Sequence, residues 1–443
     1  MAELLLSYYG DDLTGSTDVM EALASRGVPT VLFTQPPTQA QRERFSDVRA
    51  IGLAGSSRSE SPSWMDEHLT PALAWLKTLG ATFCHYKVCS TFDSSPSIGS
   101  IGRAIDIGQK LFAQASIPVV VGAPQLKRYT AFGNLFAAYQ GRTYRIDRHP
   151  VMARHPVTPM TEADLCIHLG RQTAKTIGLV DMTMLGADDV DERVDALVLR
   201  GAQIVLFDVA DTTTQRSVGR HLDRLRRDGG VFVVGSSGVE YALLTEWERL
   251  GFLAGAPRFA EPGPVDRIAV VSGSCSATTE RQIRYAEAHG FDAFAVDPKG
   301  LASGEGSLID HAIQTGLESL VAGRSVVLYT ALGPETDVGA QLETEGARHA
   351  IGRALGDIQG ALIARAGLRR AVIAGGDTSS HALRQLGVYA LTTRLPLPTT
   401  PGSPLCLAHS DEKAFDGLEI ALKGGQVGGD DYFDKIRLGA ASR

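Results

Sequence analysis

Short apolar runs alternate with amphipathic stretches along nearly the whole chain, the pattern of strand–helix units wound around a parallel sheet. Residues 4–9, 30–33, 50–53, 83–87 and 118–121 read as buried strands, with helices at 16–26, 65–79 and 101–114. The stretch 128–159, rich in Arg, His, Tyr and Pro, breaks the alternation. It resumes with strands at 176–180, 204–208 and 231–234. Residues 254–264, AGAPRFAEPGP, hold three prolines and two glycines and read as a linker. A fresh series follows, with strands at 267–271, 293–296, 326–330 and 371–374 and helices at 277–289, 308–322, 349–366 and 379–386. The fold class expected is α/β: two domains, 1–254 and 265–443, each with a mainly parallel sheet, and an active-site cleft between them.

Polar loops sit where this pattern places strand ends, and in open α/β sheets ligands bind beyond the carboxyl ends of strands. The first loop is Gly10-Asp11-Asp12-Leu13-Thr14-Gly15-Ser16-Thr17-Asp18. Adjacent carboxylates accept hydrogen bonds from polyol hydroxyls, hold a cation or take a proton. The plainer reading, that Asp12 or Thr14 caps the next helix, explains one residue but not the cluster; Asp18 is read as structural. The second loop, Ala54-Gly55-Ser56-Ser57-Arg58-Ser59, offers an arginine able to grip a carboxylate, or else one merely solvated. The third, Tyr86-Lys87-Val88-Cys89-Ser90-Thr91-Phe92-Asp93-Ser94, supplies a cation and hydroxyls. Cys89 reads as packing, with no base in sight to activate it. Together these loops fit a hydroxylated carboxylic acid.

In the second half the chemistry turns towards phosphate. Ser272-Gly273-Ser274-Cys275-Ser276 and Gly375-Gly376-Asp377-Thr378-Ser379 each follow a strand and open a helix. Hydroxyls and backbone N–H groups at a helix N-terminus make an anion site, and glycines admit phosphate oxygens closely. An ordinary capped helix start is the alternative for each. Lys423-Gly424-Gly425-Gln426-Val427-Gly428-Gly429 is a further strand-end loop, or a plain hairpin or helix cap. Asp377 is the candidate base or magnesium-positioning acid, with Asp12 or Asp11 able to take the role instead. The basic run 142–155 is given no catalytic residue.

Several classes fall away. No lysine directly follows a glycine, so the P-loop signature is absent; G-x-G-x-x-G, H-E-x-x-H and G-x-S-x-G are absent too. Lys+Arg 43 against Asp+Glu 50 gives a net charge of −7, which argues against non-specific nucleic-acid binding. The five cysteines are odd in number and scattered, so a disulfide framework or zinc site is not expected. The start lacks a basic, apolar leader and no run approaches the ~20 apolar residues of a membrane span, so a soluble cytoplasmic protein is expected.

The six loops, GDDLTGSTD, SSRS, YKVCSTFDSS, VSGSCS, AGGDTSS and KGGQVGG, occur in one order across nearly the whole chain. In this the sequence resembles the four-carbon acid sugar kinases. The resemblance implies an N-terminal acid-sugar domain, a C-terminal nucleotide domain, and ATP-dependent phosphorylation of the terminal hydroxyl of D-threonate, D-erythronate or 3-oxo-tetronate. It implies that Asp11, Asp12, Arg58, Lys87, Val88, Cys89 and Ser90 hold the sugar. ATP, with Mg²⁺, falls to Ser272, Ser274, Gly375, Gly376, Asp377, Thr378 and Gly424. Many tetronate kinases read Ala-Asp-Asp where this chain has Gly10-Asp11-Asp12, which makes a branched oxo acid sugar such as 3-oxo-isoapionate an alternative substrate. A dehydrogenase and a non-enzymatic binding module for acid sugars are the other classes carried. The oligomeric state is open, a homodimer among the options.

Overall fold

The computed structural model describes residues 3–155, 157–227, 229–253, 255–336 and 345–440, without the side chains of Glu345 and Asp377. The chain forms two compact units. One comprises Met1–Thr30 and Thr38–Pro257; the other comprises Val31–Pro37 and Arg258–Arg443.

In the first unit, seven parallel strands form a sheet: β1 (Leu6–Gly10), β3 (Ala50–Ala54), β4 (Phe83–Lys87), β5 (Ile117–Val120), β9 (Ile177–Val180), β10 (Ile204–Phe207) and β11 (Phe232–Gly235), in the spatial order β3-β1-β4-β11-β5-β10-β9. β1, β4, β5, β10 and β11 are buried along their whole length, so side chains on both faces are mostly apolar, with Ser7, His85 and Lys87 the polar exceptions; this is why they read as hydrophobic runs. Register then fixes where the loops begin. Gly10 pairs with Ala54 and with Lys87, so the loops after β1, β3 and β4 leave the sheet at one level.

The stretch 128–159 is not irregular throughout. Its first part is a second, antiparallel sheet of β6 (Arg128–Ala131), β7 (Asn134–Tyr139) and β8 (Arg142–Arg145). Each connection is a two-residue turn with both residues at positive φ, Phe132-Gly133 and Gln140-Gly141, as a type I′ hairpin requires. Asn or Asp usually fills the first of these positions; Phe and Gln there hide the hairpins. The helix expected over 65–79 is also divided. Pro62–Trp64 is α-helical, Met65–Leu69 forms a wider π turn, and Thr70–Thr78 resumes the α-helix. Pro71 has no N–H to give the preceding turn, and the π turn absorbs the missing bond.

The second unit carries β12 (Ala269–Ser272), β13 (Phe291–Ala295), β14 (Ser325–Tyr329), β15 (Arg370–Ala374), β16 (Val388–Leu395), β17 (Leu405–Ser410) and β18 (Glu419–Lys423), in the order β13-β14-β12-β15-β18-β17-β16. The first five in space are parallel; β17 and β16 run antiparallel to their neighbours. β2 (Thr30–Phe33) pairs antiparallel with β16 through Leu32 and Phe33, so a segment from early in the chain completes this unit. Ile268, Val270, Phe291, Val327, Val372 and Ala421 form its core with the C-terminal helix Tyr432–Leu438. Each of the larger of these side chains contributes roughly 1.5–3 kcal/mol on burial. Here too the register aligns three loop starts: Ser272 pairs with Ala374, and Ala374 with Lys423. Among the described residues, no helix is long and apolar enough to cross a membrane.

Candidate active site

In the first unit the three aligned loops are stitched together through their backbones. Asp11 N–H donates to the Lys87 carbonyl (2.9 Å), Arg58 N–H to the Asp11 carbonyl (3.1 Å) and Gly55 N–H to the Gly10 carbonyl (2.9 Å). Asp12 does cap the helix Leu13–Ala24, its Oδ1 accepting from Gly15 N–H, yet its other oxygen accepts from Arg58 Nη1 at 2.8 Å. Capping and charge pairing thus coexist in one side chain. Gly10 has a packing reason: a methyl there would lie 1.9 Å from Ser16 Oγ.

Arg58 is neither solvated nor waiting for a substrate alone. Its Nη2 bonds both oxygens of Asp93, at 3.1 and 3.0 Å, and the side chain is 28% exposed. Asp93 also accepts from the hydroxyls of Thr91 and Thr158. Burial opposes its charge, but Arg58 and the Thr91 hydroxyl outweigh it and hold the carboxyl down at about 2. Phe92, buried and at φ +56°, turns the chain so that Asp93 points inward; a bulky residue in this region signals local strain.

Lys87 is buried, with Nζ 3.8 Å from Asp18, which accepts a hydrogen bond from Ser237. Burial works against the ammonium, but Asp18 and Asp11 prevail and its pKa is raised. Gly15 makes room for it, since a methyl there would sit 3.1 Å from Nζ. Val88 packs in the core and donates its N–H to the Gly235 carbonyl. It shapes the loop, and its side chain offers a sugar no polar atom. Cys89 and Ser90 are half-buried, and the Cys89 sulfur accepts from the Thr91 hydroxyl.

Asp11 differs from its neighbours. It is 5% exposed, and among the described residues its Oδ1 has no hydrogen-bond partner; Thr14 Oγ1, in the first turn of the helix that follows, is orphaned too. Burial pushes the Asp11 carboxyl up and the Asp12 charge adds to this, while Arg58 and Lys87 hold it back; it lies at about 7. Buried polar atoms are normally satisfied, so two orphans just beyond a strand end point to a ligand. Asp18, Asp93, Thr158 and Ser237 were not read from the sequence as parts of this cluster. Asp93 lay within a loop already singled out, whereas nothing local marks Ser237 or Thr158.

In the second unit the loops converge on small residues and hydroxyls. Gly273 N–H donates to the Ala374 carbonyl and Gly375 N–H to the Lys423 carbonyl. A methyl on Gly273 would lie 2.2 Å from Thr378 Oγ1, and one on Gly375 (φ +117°) 2.8 Å from it. Two loops therefore meet at the Thr378 hydroxyl only because both residues are glycine. Ser272 is buried, its Oγ accepting from Ser274 N–H at 3.4 Å. Ser274 Oγ is 2.9 Å from Thr279 Oγ1, and Ser276, the cap of the helix Ala277–Ala288, also bonds the Gly425 carbonyl. Gly376, Asp377 and Thr378 form the first turn of the helix Gly376–Gln385. The Asp377 side chain lies outside the described residues, so its expected role as base has no geometry to rest on. Lys423, passed over in favour of Gly424, is fully buried here with Nζ 2.7 Å from the Gly424 carbonyl.

These loops fit a nucleotide by the chemistry of their donors: helix N-terminal amides, hydroxyls, a cation and close backbone access. No group of three or more His, Cys, Asp or Glu able to hold a metal occurs among the described residues. A magnesium ion usually arrives with phosphates and keeps several waters, so it needs no such cage.

The family described as Sugar-binding N-terminal domain matches residues 6–243, and that described as Nucleotide-binding C-terminal domain matches residues 269–433. The chain belongs to the four-carbon acid sugar kinase family. Among relatives of this kinase, a 3-oxo-isoapionate kinase of Paraburkholderia graminis is 49% identical over 99% of this chain and 95% of its own. A 3-oxo-tetronate kinase of Methylobacterium radiotolerans is 31% identical over 98% of each. A Haemophilus influenzae protein of solved structure superimposes with a TM-score of 0.72, at 25% identity, over 97% of this chain and 99% of that one. The acid sugar kinase is thus an ATP-dependent phosphotransferase with a nucleotide-binding C-terminal domain, which sets aside the dehydrogenase and the non-enzymatic binding module.

Proposed function

We propose that this kinase phosphorylates a hydroxyl of a branched oxo acid sugar of the 3-oxo-isoapionate type, in preference to D-threonate, D-erythronate or 3-oxo-tetronate. The observation carrying this reading is the contrast in likeness: 49% identity to a 3-oxo-isoapionate kinase against 31% to a 3-oxo-tetronate kinase, each along essentially the whole chain.

Residues 1–254 would form the sugar-binding domain and 265–443 the nucleotide-binding domain. Asp11 is the base that suits the reaction best, because its Oδ1 has no hydrogen-bond partner among the described residues and its carboxyl is raised to about 7. Asp12, capping a helix and pairing with Arg58, is committed to holding the loop. Arg58 keeps Nε and one Nη1 hydrogen uncommitted among the described residues, enough to bind a substrate carboxylate while Asp12 and Asp93 fix its plane. Lys87 adds charge, and the Cys89–Ser90 backbone and hydroxyl complete the sugar side. Ser272, Ser274, Gly375, Gly376, Thr378 and Gly424 would receive the ATP phosphates. Magnesium, bound with ATP, would neutralise phosphate charge. In transfer, the sugar hydroxyl oxygen bonds to the γ-phosphorus, the bridging oxygen leaves with its electron pair as ADP, and Asp11 takes the hydroxyl proton.

The test is ADP release by the purified kinase with Mg·ATP and a panel of 3-oxo-isoapionate, 3-oxo-tetronates, D- and L-threonate and D- and L-erythronate. The expected result is a kcat/KM highest for 3-oxo-isoapionate. A higher value for any four-carbon acid would refute this substrate.

A further inference from the structure

Lys423 ends β18, is 0% exposed, and among the described residues pairs with no carboxylate. Its Nζ lies 3.0 Å from Thr279 Oγ1, 2.7 Å from the Gly424 carbonyl and 3.3 Å from the Gly425 carbonyl. Three donors thus meet three neutral oxygens. A lysine is not normally buried this deeply without an acid, because removing an ammonium from water is costly. Yet its backbone carbonyl accepts from Gly375 N–H, so one residue ties together the loops after β12, β15 and β18.

We propose that Lys423 is the positioning cation of the nucleotide site, ordering three loops around a bound polyphosphate. This deepens the reading of these loops as the ATP site and rests on it. The ammonium can only donate, so it turns the hydroxyls around it in one direction. Thr279 Oγ1 accepts from Lys423 and directs its own proton to Ser274 Oγ, 2.9 Å away. Ser276 gives its proton to the Gly425 carbonyl. Ser274, receiving from Thr279, turns its own O–H towards Ser276 Oγ at 3.3 Å, a long contact that an incoming phosphate oxygen can replace. The positive charge, which no acid among the described residues offsets, is meanwhile offset by the phosphate. Lys423 thereby acts through Ser274 and the glycine loops and need not touch the nucleotide.

Burial alone brings the lysine down to about 7, and an anion bound nearby raises it again. ATP binding above neutrality should therefore draw a proton onto Lys423.

Calorimetry of ATP binding to the full-length kinase, in two buffers of different ionisation enthalpy at about pH 8, reads this directly, since ATP is itself fully ionised there. Uptake of close to one proton is expected in the wild type. In Lys423→Met no uptake is expected, with the Kd for ATP raised about 10- to 100-fold, as for loss of a charge-assisted contact. The KM for the acid sugar should stay within twofold. Wild-type binding without proton uptake, or a folded Lys423→Met that binds ATP as the wild type does, would overturn the inference and leave the nucleotide site standing. A wild type that binds no ATP would overturn both.

Discussion

Replacing Asp11 by asparagine sets activity against stability. The carboxyl ordinarily titrates at 3.8 and lies at about 7 in the folded chain. At ~1.36 kcal/mol per decade this difference is worth about 4 kcal/mol. The folded state holds this proton more tightly than the unfolded chain. Below pH 3.8 both states are protonated and nothing is lost; as pH rises from about 4 to about 7, stability falls, and above 7 the full cost is borne. Asparagine has nearly the same shape and no charge to desolvate. Asp11→Asn should therefore be more stable than the wild type at about pH 8, by up to about 4 kcal/mol, and nearly equal to it at about pH 4. As a lost general base, the same change should lower kcat by roughly 10²–10⁴-fold. Wild-type kcat/KM should climb with pH to a plateau above about 7, and this acid limb should vanish in the variant. Urea unfolding at the two pH values and ADP release across the range measure both sides. A variant less stable than the wild type at pH 8, or one that keeps its kcat and acid limb, would refute the reasoning.

Other perturbations separate the parts of the site. Asp93→Asn leaves Arg58 without its most buried partner and should cost about 3–5 kcal/mol in urea unfolding. In the wild type this carboxyl, held at about 2, contributes stability above its ordinary 3.8 that is lost as pH falls towards 2, so the acid-unfolding midpoint should rise in the variant. Gly10→Ala places a methyl 1.9 Å from Ser16 Oγ and should destabilise by roughly 1–3 kcal/mol. Adding Ser16→Ala should restore part of that in a thermal melt, since Ser16 Cβ would still lie 2.9 Å from the methyl; no restoration would mean the Oγ contact does not set the glycine. Gly273→Ala pushes against Thr378 Oγ1 at 2.2 Å and should raise the KM for ATP at least about tenfold, leaving the sugar KM alone, with partial rescue by Thr378→Ala.

Most of the parallel strands and the six loops were legible in the sequence because a parallel strand covered on both faces is largely apolar, and its end is marked where Gly, Ser and Asp take over; β16, β17 and β18 were not read. The hairpins at Phe132-Gly133 and Gln140-Gly141 were not, since their first residues lack the usual preference for positive φ. Nor was the allegiance of Val31–Pro37, because a buried strand looks alike in either unit. Residue type placed Asp11, Arg58, Lys87 and Lys423 in loops, but what each does depends on partners far along the chain. Arg58 meets Asp12 and Asp93; Lys87 meets Asp18; Lys423 meets Thr279 and no acid among the described residues. Charge energies depend on separation and on exclusion of water, and only the packed tertiary structure sets both. So the sequence by itself determined which chemical groups stand at the strand ends. The tertiary structure decided, among the described residues, which carboxylate oxygen is left without a partner and which ammonium without a counter-charge.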